Sequence, residues 1–390
     1  MSIKEGYKKT EVGIIPKEWE VSKLGAILNI QTGKKNAQDS IENGEYPFFT
    51  RSVDTQKINT YSHDTEALFI AGEGNFAVKY YKGKFDIHQR TYMLTSIKDN
   101  SVNLKFLQNS IQPRIFRLIA TSVGSTVQSL RKPIIENLKI PLPPLKEQKK
   151  IADILSTVDE KIAFVDNSIK ETETLKKGLM QKLLSEGIGH TEFKDSELGM
   201  IPKEWEVVKF KDITKVRQGL QIPISKRKST KCENCYQYIT IQFVKNNKEI
   251  EYIQNPQKTV ICTEEDILMT RTGNTGIVVT NVSGVFHNNF FLVDFNRDNI
   301  NKNYLVFCLT SYTIQKEILL KACATTIPDL NHSDFYSIKI ALPPIEEQKQ
   351  IADILSTTDK KLEILKEKKE SFEELKKGLM QKLLTGVVRV

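Results

Sequence analysis

The sequence predicts an α+β fold in which two similar globular domains alternate with two long helices that pair as an antiparallel coiled coil. Three observations support this prediction. Blocks of sequence occur twice, a heptad-like apolar seam follows each copy of one block, and the intervening segments mix β-rich and helical runs. We place domain one at 1–143, the first helix at 144–186, domain two at 187–343, and the second helix with a C-terminal tail at 344–390.

An internal repeat organises the chain. Three blocks recur in nearly the same form, at 12–23 and 198–209, at 142–157 and 342–357, and at 175–184 and 375–384. A fainter frame of matched positions survives between the blocks: Gly74 and Gly273, His88 and His287, Leu130 and Leu330, and 124–126 and 324–326. The second copy has 13 extra residues between Trp205 and Asp266, which predicts an insertion near 225–235. Both domains should therefore share one scaffold whose outer parts differ.

Local patterns predict the elements of the globular domains. Runs rich in β-branched and aromatic residues indicate strands at 67–70, 91–95, 138–141, 267–269, 276–280 and 290–293. Helices are expected at 104–120 and 304–321. Because the strand-like runs are short and scattered, the β part is expected to be mostly irregular.

The residues after each Pro-Pro pair form an apolar seam with charged residues on the other faces. The residues 146–184 would form a helix of about 57 Å. Such a helix cannot bury its seam alone, so the two copies should pair with each other; pairing with another subunit's helices is the alternative. Gly178 and Gly378 indicate either a close helix approach or fraying near a helix end. The expected pairing positions are Ile151, Leu155, Val158, Ile162, Val165, Ile351, Leu355, Leu362, Leu365 and Phe372.

Composition excludes several classes of protein. The hydrophobic content of 39% and the charged content of 27% are typical of a soluble globular protein. No apolar stretch approaches the ~18 residues of a membrane-spanning helix, and the N-terminus lacks the apolar core of a signal peptide. All five cysteines lie in the second half, and this odd count does not indicate a secreted disulfide framework. We expect a reducing, cytoplasmic location.

The excess positive charge lies outside the helices. The chain has a formal net charge of +9, whereas 144–184 carries 8 Lys and 7 acidic residues and 344–384 carries 9 Lys and 9 acidic residues. The domains are therefore the candidate nucleic-acid-facing parts. Arg, Gln and Asn can contact base edges, and Lys mainly neutralises phosphate. The candidate DNA-binding residues are Gln31, Lys34, Lys35, Arg51, Lys79, Lys82, Lys84, Gln89 and Arg90 in domain one, and Arg217, Gln218, Gln221, Lys226, Arg227, Lys228, Arg271, Asn274, Asn288 and Asn289 in domain two.

Two sets of residues allow more than one interpretation. His88 and His287 occupy matched positions, but no carboxylate, Ser or Cys partner recurs with them, so a structural hydrogen-bonding role is favoured over a catalytic one. Cys232 and Cys235 could form half a zinc site, a redox pair, or two free thiols. Free thiols are favoured, because a second cysteine pair and a counterpart in the first copy are both missing from the sequence.

Two motifs stand in both copies: Gly-x-Ile-Pro-x-x-Trp at 13–19 and 199–205, and Leu-Pro-Pro-(Leu/Ile)-x-Glu-Gln-x-x-Ile-Ala at 142–152 and 342–352. Each long helix ends in Gly-Leu-Met-Gln-Lys-Leu-Leu. In this doubled set of motifs, the sequence resembles the specificity (S) subunits of type I restriction–modification systems. The resemblance extends over nearly the whole chain.

The resemblance implies a division of labour with other proteins. Two target-recognition domains would each read one half of a bipartite site in double-stranded DNA, and the helices would act as the spacer between the halves. The chain would direct two methyltransferase (modification) subunits and restriction subunits to that site, and these would dock largely on the helices. Adenine methylation with S-adenosylmethionine and ATP-dependent cleavage would belong to those partners.

The sequence itself gives no indication of catalysis. It lacks an Asn-Pro-Pro-aromatic motif for adenine methylation, which the run at 255–258 resembles only superficially, and it lacks a Gly-x-x-x-x-Gly-Lys-(Ser/Thr) phosphate loop. We therefore predict a non-enzymatic subunit without catalytic residues, cofactor, metal, small-molecule substrate or membrane partner. The alternative function is a helical scaffold subunit without base-specific recognition.

Overall fold

The computed structural model describes residues 5–98, 101–121, 129–246, 250–322 and 328–390. They form two compact units, one made of Met1–Asn167 with Lys366–Val390 and the other of Ser168–Leu365. Each unit therefore combines one globular domain with the first part of one long helix and the last part of the other. Within the described ranges, no helix is long and apolar enough to cross a membrane.

The strands of the first unit are β1 (Tyr7–Thr10), β2 (Gly13–Pro16), β3 (Glu20–Lys23), β4 (Leu28–Thr32), β5 (Tyr46–Phe49), β6 (Gln56–Ile58), β7 (His63–Ala71), β8 (Lys79–Ile87), β9 (Thr91–Ser96) and β10 (Lys139–Leu142). Six of these strands form one sheet in the order β4-β9-β7-β8-β5-β6. The helices of the first unit are α1 (Leu24–Ile27), α2 (Leu104–Thr121), α3 (Lys132–Glu136) and the beginning of α4 (Leu145–Leu183).

The central strand β7 explains why its sequence is apolar without alternation. Leu68 and Ile70 face the core that also contains Leu107 of α2. Ala67 and Phe69 face a second core with other aromatic side chains. Because both faces of the strand are buried, a continuous apolar run is what the fold requires.

The strands of the second unit are β11 (Phe193–Lys194), β12 (Ile201–Pro202), β13 (Glu206–Lys209), β14 (Thr214–Gln218), β15 (Cys235–Ile239), β16 (Tyr252–Gln254), β17 (Ile261–Cys262), β18 (Ile267–Thr270), β19 (Val278–Val279), β20 (Gly284–Phe286), β21 (Phe290–Phe295) and β22 (Lys339–Leu342). Eight of these strands form two four-stranded sheets, in the orders β14-β21-β18-β19 and β16-β15-β20-β17. The helices of the second unit are α5 (Phe210–Ile213), α6 (Ile241–Asn246), α7 (Lys302–Thr310), α8 (Tyr312–Ala322), α9 (His332–Ser337) and α10 (Ile345–Leu383).

The strand registers confirm one scaffold in two copies. Ile30 pairs with Leu94 in domain one, and the equivalent Val216 pairs with Val293 in domain two. The parallel pairing of β5 with β8 recurs as that of β15 with β20. The long strand β8 is divided in domain two into β19 and β20, which flank Asn281 in the left-handed backbone region with a φ of 58°. The same sheet is therefore continuous in one copy and interrupted in the other.

The prediction of one insertion near 225–235 is wrong. The equivalent register positions are Thr32 and Gln218, Phe48 and Tyr238, Ile58 and Ile253, and Leu68 and Ile267. The offset between the copies grows at each of the three intervening segments, so all three are longer in domain two. The extra residues are shared among loops because each strand of the common scaffold keeps its place.

The predicted strands and helices largely agree with the structure, with two corrections. The expected irregular β part is wrong for domain one, where six strands pair in one sheet. The single helix expected at 304–321 is two helices, α7 and α8, which are separated at Ser311 with an extended ψ of 148°. The hydroxyl of Ser311 donates to the carbonyl of Cys308 at 2.7 Å and thereby satisfies the end of α7. The matched runs 124–126 and 324–326 lie outside the described residues.

In the first unit, the beginning of α4 and the end of α10 pack in opposite directions. Leu155 and Leu383 share one buried core. Two ion pairs follow the same antiparallel register: Asp159 with Lys376 at 2.6 Å, and Asp166 with Lys369 at 2.6 Å.

The second unit contains the reciprocal arrangement. Leu183 near the end of α4 shares a core with Leu355 near the beginning of α10. Lys176 pairs with Asp359 at 2.5 Å. These residues are the repeat counterparts of Lys376 and Asp159, so the same ion pair occurs twice with the two helices exchanged.

Burial outlines the seam between the helices. Of the predicted pairing positions, Ile162, Leu365 and Phe372 are half-buried, and the others are buried. Leu175 and Leu375 are 53% and 49% exposed, so they lie outside the seam.

The recurrent motifs attach each globular domain to its helices. Trp19 Nε1 donates to Glu147 Oε2 at 3.0 Å, and Trp205 Nε1 donates to Glu347 Oε2 at 2.8 Å. Both tryptophans are fully buried. Glu147 also accepts from Arg389 in the C-terminal tail, at 2.6 and 3.0 Å. The motifs that carry the family resemblance are thus structural anchors.

Candidate nucleic-acid interface

A tight β-turn between β8 and β9 presents two of the predicted DNA-binding residues in domain one. The N–H of Thr91 donates to the carbonyl of His88 at 2.9 Å and closes the turn. Gln89 and Arg90 are the central residues, and both are exposed. The backbone N–H of Arg90 donates to Nδ1 of His88 at 3.0 Å, so the imidazole braces the turn from its first position.

Domain two has the same turn between β20 and β21. The N–H of Phe290 donates to the carbonyl of His287 at 2.9 Å, and the N–H of Asn289 donates to Nδ1 of His287 at 3.1 Å. The central residues are Asn288 and Asn289, both half-buried. The structural role expected of the paired histidines agrees with this geometry, and the residues that they brace differ between the domains.

The protonation state of both histidines follows from these bonds. A ring nitrogen that accepts a hydrogen bond carries no proton, so each imidazole is neutral with its hydrogen on Nε2. Burial lowers the pKa of His88, and the nearby charges of Arg51 and Arg90 lower it further. Burial also lowers the pKa of His287, with a smaller contribution from Arg227. Both environments therefore favour the neutral form that the turn needs.

In domain one, the turn is joined to two other segments. The N–H of Gly72 donates to the carbonyl of Arg90 at 2.8 Å, and the N–H of Leu130 donates to the carbonyl of Gly72 at 2.8 Å. Glu73 accepts from Arg90 at 2.9 Å and from Arg51 at 3.1 Å. The hydrogen bond from Arg90 is the main reason that the pKa of Glu73 is lowered. We call these three connected segments the turn junction.

The turn junction of domain two has the same backbone connections. The N–H of Arg271 donates to the carbonyl of Asn289 at 2.7 Å, and the N–H of Leu330 donates to the carbonyl of Arg271 at 2.9 Å. Arg271 binds Asp329 at 2.8 and 3.1 Å, and Thr272 also donates to Asp329 at 2.6 Å. Burial alone would raise the pKa of Asp329, but these hydrogen bonds lower it.

The carboxylate that binds arginine lies on different segments of the two junctions. An isolated β-bridge joins Glu73 to Ser129 in domain one and Thr272 to Asp329 in domain two. The acid stands on the first segment in one copy and on the last segment in the other, so comparison of the repeats in sequence could not identify it. The carboxylate binds two arginines, Arg51 and Arg90, in domain one and one arginine, Arg271, in domain two.

A polar cavity of about 220 Å³ lies beside the domain-one junction. Its lining residues are Ala37, Thr50, Arg51, Ser52, Gln56, Gly74 and His88. This lining differs from the apolar lining typical of small-molecule sites. Among the described residues, Gln56 Oε1 is a buried atom without a hydrogen-bond partner. No sequence pattern identifies Gln56 as a candidate.

The remaining domain-one candidates lie on strands and loops near the junction. Lys35 forms a β-bridge with His88, and Gln89 Nε2 donates to Asn36 Oδ1 at 2.6 Å. Lys79 on β8 donates to the carbonyl of Ser52 at 2.9 Å, and burial lowers its pKa. Gln31 lies exposed on β4, Lys34 lies exposed in the loop after it, and Lys82 and Lys84 lie exposed on β8.

Lys84 and Tyr80 are already engaged within the domain. The ammonium of Lys84 lies 4.6 Å from the centre of the Tyr61 ring. The hydroxyl of Tyr80 donates to Glu66 at 3.0 Å, and burial raises the pKa of Tyr80 to about 12.

In domain two, Arg227 is built into the fold rather than exposed in a loop. Its guanidinium lies 5.0 Å from the ring centre of Tyr238 and binds Glu251 at 3.0 Å. The ring of Tyr238 in turn lies 5.7 Å from that of His287. A supporting role for Arg227 behind the turn therefore fits its contacts better than direct contact with DNA.

The other domain-two candidates are distributed over several loops. Gln218 Nε2 donates to the carbonyl of Asn288 at 3.4 Å, which brings Gln218 to the junction. Arg217 donates to the carbonyl of Thr259 at 3.1 Å. Lys228 binds Gln254 at 2.6 Å. Gln221 and Asn274 are exposed in loops, and Lys226 is exposed at the end of a short 3-10 helix, Ile224–Lys226.

Cys232 and Cys235 are joined in a disulfide, which corrects the expectation of free thiols. Their Cα atoms lie 5.1 Å apart in a turn where Asn234 adopts a φ of 52°. No group of three or more metal-ligating side chains occurs within the described part of the chain. Cys262 and Cys308 are buried free thiols, and Cys323 lies outside the described residues.

Comparisons with known proteins agree on one family. The profile described as "Type I restriction modification DNA specificity domain" matches 16–174 and 202–374. The chain is 29% identical to the type I restriction enzyme MjaVIII specificity subunit of Methanocaldococcus jannaschii, covering 99% of this chain and 96% of that protein. It is 32% identical to the putative MjaX specificity subunit of the same organism, covering 99% and 97%.

A solved structure supports the same fold. The crystal structure of the type I restriction–modification S subunit from M. genitalium matches with a TM-score of 0.67 at 16% sequence identity and covers 98% of both chains. At that identity, the likeness concerns the fold alone.

Proposed function

Because this chain belongs to the specificity subunits of type I restriction–modification systems, we propose that it reads a bipartite site in double-stranded DNA, with one half-site for each domain. It would direct two methyltransferase subunits and restriction subunits to that site. Adenine methylation and ATP-dependent cleavage would be activities of those partners, and this chain would supply neither.

The observation that carries the proposal is the pair of turn junctions. Their backbone connections are the same, but the central turn residues are the exposed Gln89 and Arg90 in one and the half-buried Asn288 and Asn289 in the other. Gln and Asn can form paired hydrogen bonds with adenine, and Arg with guanine. Two equivalent frames that carry different base-reading side chains are suited to two different half-sites.

The carboxylates beside the arginines favour selective binding of bases by these arginines. Arg51 and Arg90 share Glu73, and Arg271 is held by Asp329. These partners fix the direction of each guanidinium before DNA arrives and reduce its attraction to any phosphate. Such an arrangement favours base recognition over indiscriminate backbone binding.

The outer faces of the long helices are suited to partner subunits. Ile354, Ile364 and Leu175 are 39%, 62% and 53% exposed, and Leu375 is 49% exposed. These apolar side chains lie outside the helix seam, on elements with almost no net charge. A related solved structure is described as showing complex assembly of a type I restriction–modification system. We propose that the modification subunits cover these positions.

The test is selection of DNA from randomised duplexes by this chain in complex with its modification subunits. The expected product has two specified blocks separated by an unspecified gap. One heptad inserted at the middle of each long helix should lengthen the gap by about three base pairs, from 1.5 Å per helical residue and 3.4 Å per base pair. The two blocks should not change.

The outcome against the proposal is equally clear. Absence of any sequence preference, with the complex intact, would favour the helical scaffold function instead. A change in the specified blocks after heptad insertion would contradict the assignment of reading to the domains and spacing to the helices.

A further inference from the structure

The two turn histidines have a role that goes beyond filling the core, and this inference rests on the proposed function. We propose that His88 and His287 are positioning residues for base recognition. Each neutral imidazole accepts the N–H of the second central turn residue, at 3.0 Å in domain one and 3.1 Å in domain two. The bond fixes the backbone from which the reading side chains project.

The local geometry gives the reason. In a β-turn the i to i+3 hydrogen bond uses the N–H of the last residue and leaves the N–H of the third residue without a backbone partner. Asp and Asn commonly supply an acceptor for that N–H from the first position. The Nδ1 atom of histidine is as many bonds from the backbone as Oδ1 of asparagine, so histidine can perform the same task when Nδ1 carries no proton.

The surroundings of each ring keep Nδ1 unprotonated. His88 is 4% exposed, and the cations Arg51 and Arg90 outweigh the carboxylates Asp39 and Glu73 around it. His287 is half-buried, is packed against Tyr238 and faces Arg227. Two diverged domains retain the same ring and the same hydrogen bond, and in both the nearby arginines lower the pKa of the ring, which makes a coincidental contact a poor explanation.

A direct contact with DNA through Nε2–H is the competing role, and two substitutions separate the two roles. His88→Asn keeps an acceptor at the place of Nδ1 and removes the group at Nε2. His88→Gln carries its amide further out, near the place of Nε2, and removes the acceptor that braces the turn. The two variants should therefore behave in opposite ways under the two roles.

The experiment is the same selection from randomised duplexes, with the complete complex. We expect His88→Asn to retain the wild-type half-site of domain one. His88→Gln should lose about tenfold or more of its discrimination at one or more base pairs of that half-site. The other half-site is the internal control and should not change. His287→Asn and His287→Gln should show the same contrast at the second half-site.

Each other outcome counts against the inference. Retention in His88→Gln with loss in His88→Asn would assign the histidine to direct contact with DNA. Unchanged selection in both variants would remove any role in recognition, and loss in both would show that the acceptor is not what matters. If the wild-type complex selected no sequence at all, the proposed function itself would fail, which is a distinguishable result.

A measurement without DNA tests the same bond. Histidine-selective 15N NMR of the full chain should show both rings in the tautomer with Nδ1 unprotonated at pH 7.5. The protection of the Arg90 amide against hydrogen exchange, relative to its intrinsic exchange rate at each pH, should fall on acidification in the wild type and change much less in His88→Asn. Protonated Nδ1 at pH 7.5 would overturn the proposal.

Discussion

Removal of the Glu147 side chain should destabilise the first unit by about 2 kcal/mol. Glu147 is almost fully buried and accepts from Trp19 Nε1 and from Arg389. In Glu147→Ala, the fully buried indole N–H of Trp19 loses its partner, which costs about 1–3 kcal/mol. Because Arg389 is 40% exposed, water replaces its lost partner and the added cost is only about 0–1 kcal/mol.

The two tryptophans make this prediction measurable in one unit at a time. The chain has Trp19 in the first unit and Trp205 in the second. In a Trp205→Phe background, the fluorescence of Trp19 during urea unfolding reports the first unit alone. The midpoint should fall by about 1 M, since m-values are about 1–3 kcal/mol/M.

Glu18→Ala is the matched control for this experiment. Glu18 also binds Arg389, at 2.7 Å, but its side chain is 71% exposed. Its loss should change the stability by less than about 0.5 kcal/mol. If Glu147→Ala and Glu18→Ala shifted the midpoint equally, the anchoring role assigned to Glu147, which occurs in both copies of the repeat, would be refuted.

Three further predictions concern the helices, the histidines and the thiols. A double-mutant cycle on Asp159 and Lys376 should give a coupling of about 0.3–1 kcal/mol, with a similar value for the equivalent pair in the second unit; zero coupling in both would contradict the register. The pKa of each turn histidine is lowered from its usual 6.5, so the contribution of the histidines to stability should be complete above pH 6.5 and decline as the pH falls through the folded pKa. Urea titrations should show that the free energy of unfolding falls less on acidification in the double His→Asn variant than in the wild type; an equal fall would contradict this prediction. Burial raises the pKa of Cys262 to about 11 and that of Cys308 to about 12, so both should resist iodoacetamide at pH 8 in the native protein and react after unfolding, as followed by peptide mass spectrometry; rapid native labelling would show that these sites open.

The sequence predicted the long helices well, because their signals are local and strong. Each Pro-Pro pair sets a start, and the apolar seam sets the length, so the helices expected at 146–184 and in the second copy lie within a residue of α4 and α10. The repeat also predicted that both domains share one scaffold. Duplicated sequence implies duplicated structure whenever the buried strands are retained.

Long-range features were harder to predict. The break at Ser311 depends on one side chain that caps a helix end, and the apolar pattern continues across it. The carboxylates Glu73 and Asp329 come together with arginines only after distant loops meet. The distribution of the extra residues over three loops follows from the strand register. Sequence similarity does not show it, because the side chains of the equivalent strands have diverged.

The candidate DNA-binding residues were a broad set because charge and polarity alone do not indicate geometry. The structure gathers Arg51, Gln89 and Arg90 at one junction and Gln218, Asn288 and Asn289 at the other, with Arg271. Others, such as Arg227, are engaged in packing. The assignment of these residues to DNA contact stays a prediction.

We propose that the two domains recognise DNA independently of each other and that the long helices set a fixed distance between the half-sites; one domain exchange tests this most directly. Residues 24–138, from α1 to the segment before β10, would be replaced by the equivalent residues 210–338. Methylated positions would then be mapped in DNA from cells that carry the altered subunit with its modification subunits. We expect a target that contains the second half-site twice, separated by the original gap. A target that kept the original first half-site would contradict this proposal.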